Sequence, residues 1–282
     1  MPGPGTSAVR IVHVYPNLLG TYGDAGNAIV LCARLRLREL PCELIVVEPG
    51  QALPREGDVY LLGGGEDAKQ TAAVQMMRED GALVAAAGRG AAVVGICAGY
   101  QLLGTTFLGV GGIPTEGLGL LDVTTGRLER RAVGNVLARA AAGVVGPEGE
   151  PLPDLIGFEN HGGATVLGSA ARPLGIMEIG VGNGVPSTTG QATEGAVQGS
   201  VFGTYLHGPA LALNPALADL ILSTATGPLG PIDDTLPEAL RRHRRLHVLP
   251  ATERAGRVRS VVKLLRRKDS APSGASATLS GR

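Results

Sequence analysis

The chain has 282 residues, of which 44% are hydrophobic and 44 are glycine, so it can form one large domain or two small ones with an ample core. Three cysteines are too few for a disulfide framework, no stretch is long and apolar enough to span a membrane, and no signal pattern precedes the first predicted strand. These features exclude the disulfide-rich secreted and integral membrane classes, and we expect a cytoplasmic protein. The formal net charge is 0, and we expect no nucleic-acid partner.

Predicted strands and helices alternate through the first third of the chain. Short apolar runs predict strands at residues 9–14, 43–47, 58–62 and 91–96, and the segments between them predict helices at residues 28–40 and 68–87. This alternation predicts an α/β fold with a mostly parallel central sheet. In such a sheet, functional groups gather at the carboxyl ends of the strands.

The second half is richer in predicted strands and ends in a basic extension. Strands are predicted at residues 119–124, 132–137, 155–158, 174–179 and 201–206, followed by a helix at residues 214–226. The Pro- and Gly-rich run at residues 227–231 then breaks the pattern. The predicted organisation is therefore a disordered leader (1–8), one domain (9–228), a helical basic extension (229–268) and a disordered tail (269–282).

The sequence Gly95-Ile96-Cys97-Ala98-Gly99 stands between an apolar strand and a predicted helix. Strand, tight turn with flanking glycines, then helix is the arrangement of a nucleophile elbow, here with cysteine as the reactive residue. The unpaired N–H groups at the start of the helix would stabilise a thiolate. The alternative is a small buried cysteine that ends a core strand.

A cysteine nucleophile needs a base, and the chain offers five histidines. His161 and His207 each follow an apolar strand and precede a glycine, as a functional residue at the tip of a loop would. His13 lies within a predicted strand, and His243 and His247 lie among arginines, so we expect a structural role for the first and solvent exposure for the other two. Spacing alone does not choose between His161 and His207.

Six separated motifs together resemble a known family. They are Thr21–Asn27, Gly63–Gly65, Gly95–Gln101, Glu116–Asp122, Gly157–Gly163 and Thr204–Pro209. They resemble class I glutamine amidotransferases, more narrowly the cobyric acid synthase-like branch, and within it the glutaminase subunit (GatD) of lipid II isoglutaminyl synthase. The resemblance covers roughly residues 9–226 and implies the three-layer, flavodoxin-like fold of that family.

The resemblance implies roles for the residues at the strand ends. Cys97 would be the nucleophile that attacks the side-chain amide of glutamine, and His207 would be the general acid and base. Backbone N–H groups of Ala98 and Gly64 would hold the oxyanion, since glycine lets the backbone approach the substrate closely.

Further residues match positions that would hold the substrate. Gln101 and Arg131 would bind glutamine, with the guanidinium on its α-carboxylate, although Arg131 could also be an ordinary surface charge. Glu159, Asn160 and His161 would shape the pocket from the opposite side. The alternative is a turn satisfied by its own side chains.

One departure from the family pattern concerns the third catalytic residue. Most class I members have a glutamate two residues after the histidine, but here the sequence is His207-Gly208-Pro209. Asp24 is our candidate to orient the imidazole. It could instead cap the helix that follows it.

The chain contains no Gly-x-x-x-x-Gly-Lys-Ser/Thr phosphate loop, so we expect no cofactor and no metal site on it. The resemblance implies a second polypeptide, a Mur ligase-like protein (MurT), that carries ATP and metal and amidates the D-glutamate of lipid II to D-isoglutamine. Rival interpretations are a stand-alone cysteine hydrolase of similar fold (γ-glutamyl hydrolase or DJ-1/PfpI-like), a glutaminase subunit of a cobyrinate-type amidotransferase, and a non-catalytic binding subunit.

The charges divide the chain into an acidic body and a basic tail. Residues 1–240 carry 23 acidic and 13 basic side chains, whereas residues 241–282 carry 2 and 12. Apolar residues recur at helical spacing at Val258, Val261, Val262 and Leu265, which predicts an amphipathic basic helix capped near residue 252. This helix could pack on the body or on the ligase partner, or make peripheral contact with an anionic membrane.

Overall fold

The structure is a computed structural model that describes residues 7–21 and 23–248. Within them, the strands are β1 (Val9–Val14), β2 (Cys42–Val47), β3 (Val59–Leu62), β4 (Ala92–Ile96), β5 (Thr106–Leu108), β6 (Pro114–Glu116), β7 (Val123–Ala140), β8 (Leu155–Leu167), β9 (Gly175–Ile179), β10 (Thr193–Glu194), β11 (Ala196–Gln198) and β12 (Val201–Thr204).

The helices of the same residues lie mainly in the first and last thirds of the chain. They are α1 (Ala25–Arg36), α2 (Asp67–Asp80), α3 (Ala82–Gly88), α4 (Ala98–Leu103), α5 (Ala210–Leu213), α6 (Pro215–Thr226) and α7 (Thr235–Val248), with a 3-10 turn at Val110–Gly112. The single helix predicted over residues 68–87 is wrong. It is broken at Gly81, whose φ of 68° ends α2 in the left-handed conformation that glycine adopts most readily.

The first sheet has the order β11-β12-β4-β3-β1-β2 and is parallel except for β11, which runs antiparallel to β12. Its central strands β3 and β4 are buried along their whole length, which explains their nearly continuous apolar sequences. Leu62 of β3 and Gly203 of β12 both lie beside Gly95 of β4. The carboxyl ends of these three strands therefore meet, and the predicted α/β fold with a mostly parallel sheet is confirmed.

The second sheet is formed by the contiguous segment from β5 to β10, in the order β10-β9-β7-β5-β6 with β8 paired to β7. Its long antiparallel ribbon of β7 and β8 has an irregularity between Arg127 and Ala132. The strand predicted at residues 119–124 is wrong, because β7 begins only at Val123. The backbone N–H groups of Leu118 and Leu120 instead donate to carbonyls at the end of α4.

Two of the three cysteines are joined. Cys32 of α1 and Cys42 of β2 form a disulfide, with their Cα atoms 5.7 Å apart. One such bond is compatible with the prediction that three cysteines are too few for a disulfide framework. The short connection between α1 and the sheet brings the two residues together, a proximity that a sparse cysteine count does not reveal. Cys97 is free and buried.

The start of the basic extension packs on the body. Val248 of α7 contacts Leu137 and Ile156 in a small apolar cluster, and the Arg245 guanidinium pairs with Asp154 at 2.6 Å. Residues 235–248 of the predicted extension therefore form a helix that lies against the body. Most of the leader predicted over residues 1–8, the helix predicted over residues 252–268 and the tail predicted over residues 269–282 lie outside the described residues. Among the helices that are described, none is long and apolar enough to cross a membrane.

Candidate active site

The turn after β4 places the Cys97 thiol at the carboxyl edge of the first sheet. Cys97 has a φ of 52°, unusual for a residue with a side chain, and its backbone N–H donates to Thr204 O at 2.8 Å. The flanking glycines are required by close packing. A Cβ on Gly95 would lie 2.6 Å from the Gly99 carbonyl carbon, and one on Gly99 would collide with the carbonyl of Leu62. The backbone of a nucleophile elbow is thus present.

His207 follows β12 and is held in place through both its backbone and its side chain. Its backbone N–H donates to Phe158 O at 2.8 Å, and its Nδ1 lies 3.2 Å from both carboxylate oxygens of Asp24. Because a carboxylate only accepts, Nδ1 carries the proton, and the imidazole also hydrogen-bonds Cys97. Burial lowers the pKa of His207, but hydrogen bonds with Asp24 and Cys97 outweigh burial and raise the pKa to about 9.

The Asp24 carboxylate is buried and faces the imidazole. Asp24 stands at the start of α1, yet its side chain makes no capping hydrogen bond there. Its Oδ2 accepts the backbone N–H of Gly64 at 2.8 Å in addition to facing His207. Of the two roles considered for Asp24, the geometry corresponds to orientation of the imidazole rather than to helix capping.

Gly64 does not occupy the place predicted for it. Its N–H is bonded to Asp24, and so it points at the Asp24–His207 pair rather than at the substrate side of Cys97. The neighbouring Gly65 lines the cavity together with Ala98. The prediction that the Gly64 N–H holds the oxyanion is therefore wrong. A Cβ at Gly64 would lie 2.9 Å from the ring of His207, which explains why glycine is needed at that position.

A cavity of about 180 Å³ opens in front of the thiol. Its lining contains five residues predicted from the sequence: Cys97, Ala98, Gln101, Arg131 and His161. Asn160 was predicted to contact the substrate but lies behind the lining. Its Oδ1 accepts from Arg131 Nε at 2.6 Å and its backbone carbonyl accepts from the same guanidinium at 3.0 Å. Asn160 therefore fixes the direction of Arg131.

His161 lies inside β8 and not at the tip of a loop, contrary to prediction. Its ring is buried and stacks on Tyr205, with the ring centroids 3.7 Å apart. Glu159 does not reach the cavity, because its two oxygens accept the N–H groups of Val181 and Gly182, each at 2.8 Å. Glu159 therefore holds the loop after β9 in place.

Sequence reasoning missed a polar wall on one side of the cavity. Gln70 of α2 is buried, and its Nε2 donates to Gln101 Oε1 at 2.8 Å, while Gln101 Nε2 donates to the Tyr205 hydroxyl at 3.3 Å. No periodicity singles out Gln70 within α2. For Tyr205 the sequence did contain a signal, because this residue lies only two positions before His207.

A buried carboxylate supports the strand that delivers His207. Glu194 Oε1 accepts the Thr204 hydroxyl and the Tyr205 N–H, the latter at 3.0 Å. Burial raises the pKa of Glu194 to about 7, although these hydrogen bonds oppose the rise. Within the described part of the chain, no group of three or more His, Cys, Asp or Glu side chains is placed to hold a metal ion.

Known proteins resemble this chain in sequence and in fold. Residues 10–215 match the CobB/CobQ-like glutamine amidotransferase domain. The chain is 31% identical over 219 residues to the GatD subunit of lipid II isoglutaminyl synthase (glutamine-hydrolyzing) from Staphylococcus aureus, a match that covers 77% of this chain and 84% of the relative. A cobyric acid synthase from Sphingopyxis alaskensis is 35% identical over 187 residues, which cover 64% of this chain and 34% of that one.

A solved structure shares the fold. PurLQS from Thermotoga maritima superposes with a TM-score of 0.51 at 17% identity, covering 78% of this chain and 98% of the other. The family predicted from the six motifs is confirmed by the sequence match. The chain belongs to the CobB/CobQ-like family of glutamine amidotransferases, enzymes that hydrolyse glutamine.

Proposed function

We propose that this chain is the glutaminase subunit of a lipid II isoglutaminyl synthase and that it works through a thioester on Cys97. The Cys97 sulfur attacks the side-chain carbonyl carbon of L-glutamine. The carbon–nitrogen bond then breaks, and ammonia leaves with a proton from His207. Water, deprotonated by His207, attacks the thioester and releases glutamate and the thiol.

The arrangement around Cys97 supports each of these steps. Asp24 keeps the proton on His207 Nδ1 and leaves Nε2 for exchange with the thiol and the leaving group. We propose that the N–H groups of Ala98 and Gly65, which both line the cavity, hold the negative charge that develops in the tetrahedral intermediate. No other residue of the chain needs to form a covalent bond.

The assignment to lipid II rests on one observation, the match to the S. aureus GatD subunit over most of both chains. Glutamine hydrolysis alone would release ammonia without an acceptor. We propose that a Mur ligase-like synthetase forms a heterodimer with this chain in the cytoplasm. It would use ATP and metal to activate the D-glutamate of lipid II, and ammonia would convert that residue to D-isoglutamine.

Reconstitution with the partner tests this assignment. The full chain, the Mur ligase-like protein, ATP, L-glutamine and lipid II are combined, and amidated lipid II is measured by mass spectrometry. We expect amidation that depends on all five components. With the Cys97→Ala chain, ammonium chloride should support amidation and glutamine should not. Glutamate release without an amidated lipid product, or amidation of a cobyrinate-type carboxylate instead, would contradict the assignment.

Residues 249–282 give a separate prediction. Because α7 already packs on the body, we expect the segment that follows it to associate with the body or with the ligase. A chain ending at residue 248 should then have a lower Tm or a weaker affinity for the ligase, and neither version should sediment with anionic vesicles. Salt-sensitive vesicle binding that is lost on truncation would show that this segment serves as a membrane contact instead.

A further inference from the structure

Two side chains of opposite charge stand at the cavity and have no role in the chemistry at Cys97. Asp67 is the first residue of α2, and Arg127 lies in β7, where the pairing with β8 becomes irregular. An Arg127 nitrogen and Asp67 Oδ2 are 3.2 Å apart. Both residues line the cavity, and among the residues that the structure describes Asp67 is the only carboxylate in that lining.

The depth of the cavity determines which part of glutamine meets this pair. The side-chain amide must reach Cys97, which is 8% exposed, so the α-carbon lies towards the opening. Asp67 and Arg127 are more than half exposed and therefore lie at that opening. Glutamine carries an ammonium and a carboxylate on the same α-carbon. The acidic and basic side chains at the opening match these two charges.

In the free protein Asp67 and Arg127 pair with each other, and this ion pair does not prevent glutamine from binding between them. An exposed pair of this kind contributes little to stability, so separating it to admit a zwitterion costs little. Asp67 then exchanges the Arg127 guanidinium for the ammonium of the substrate. Arg127 exchanges the Asp67 carboxylate for the carboxylate of the substrate. Arg127 and Arg131 are cations that only donate hydrogen bonds, so among the charged side chains described in the lining Asp67 is the one that can accept from the ammonium.

We propose that Asp67 binds the α-ammonium group of glutamine, with Arg127 beside it on the α-carboxylate. The pair selects a free amino acid over other primary amides. This inference depends on glutamine hydrolysis and not on lipid II as the acceptor. A purely structural role for Asp67, at the start of α2 and as a link to β7, is the competing explanation.

Glutarate monoamide distinguishes the two explanations, because it has the carboxylate and the side-chain amide of glutamine but no α-ammonium. We expect Asp67→Asn to reduce kcat/KM for glutamine at least tenfold, chiefly through KM, and to leave kcat/KM for glutarate monoamide unchanged. Arg127→Gln should weaken both substrates, since both carry the carboxylate. Ammonia release by the full chain, with its synthetase partner and without lipid II, is the measurement.

Glu66→Gln is the matched control. Glu66 is the neighbouring residue at the start of the same helix, and the substitution removes the same charge away from the cavity lining. It should leave the preference for glutamine over the monoamide unchanged. Equal losses for both substrates in Asp67→Asn, or no loss for either, would overturn the proposal. Failure to amidate lipid II would leave these ratios unaffected.

Discussion

Replacing Cys97 with alanine should lower glutamate release by about four orders of magnitude or more, because no other group can form the thioester. The fold should persist. Alanine fits the same turn, and the glycines at positions 95 and 99, rather than the thiol, allow the close packing there. Glutaminase turnover and thermal unfolding of the two proteins are the measurements.

Covalent labelling provides a second test of the same residue. An electrophilic glutamine analogue such as diazo-oxo-norleucine should add to Cys97 and not to Cys32 or Cys42, which are joined in a disulfide. Mass spectrometry of the labelled peptides locates the adduct. Labelling elsewhere, or turnover that survives in Cys97→Ala, would refute the assignment of the nucleophile.

Asp24→Asn should reduce turnover by about two to four orders of magnitude while the protein remains folded. The amide cannot fix the proton on His207 Nδ1, since it can either donate or accept. Asp80→Asn is a suitable control, because Asp80, like Asp24, accepts a backbone N–H through its carboxylate and lies next to the start of a helix, but it is away from the cavity. Near-normal turnover in Asp24→Asn would mean that another group orients the imidazole.

The same substitution should change the pH dependence of turnover. Burial lowers the pKa of His207, and the hydrogen bonds to Asp24 and Cys97 raise it to about 9, so in the wild type the proton needed by departing ammonia is lost only above that pH. Without the Asp24 carboxylate, the alkaline limb of kcat should move to lower pH. The raised pKa also means that protonated His207 stabilises the fold. This stabilisation is complete below the ordinary histidine pKa of about 6.5 and disappears as the pH rises through about 9.

Local motifs made the placement of Cys97 and His207 at one site predictable from the sequence. Cys97 and His207 each carry a recognisable pattern within a few residues, and the strands before them are apolar enough to place both at one edge of a sheet. Asp24 required an additional argument from a missing glutamate. Its position beside His207 depends on packing of chain segments 183 residues apart.

Other features depend on geometry that a single sequence does not contain. That the Gly64 N–H does not point at the substrate follows from its hydrogen bond to Asp24. Asp67 and Arg127 meet because a helix of the first sheet packs beside a strand of the second, 60 residues away. Gln70 reads as an ordinary polar helix residue until its contact with Gln101 is known.

The division of the cavity between two sheets has a consequence for engineering. Cys97, His207 and Asp24 all belong to the parallel sheet, whereas Arg127 and His161 belong to the sheet formed by the contiguous segment 106–194. Exchanging that segment between family members should therefore change the side of the cavity formed by Arg127 and His161 while leaving Asp67, Cys97, His207 and Asp24 unaltered. Glu194 lies at the end of segment 106–194, and its carboxylate accepts hydrogen bonds from Thr204 and Tyr205 just before His207, so any such chimaera must retain it.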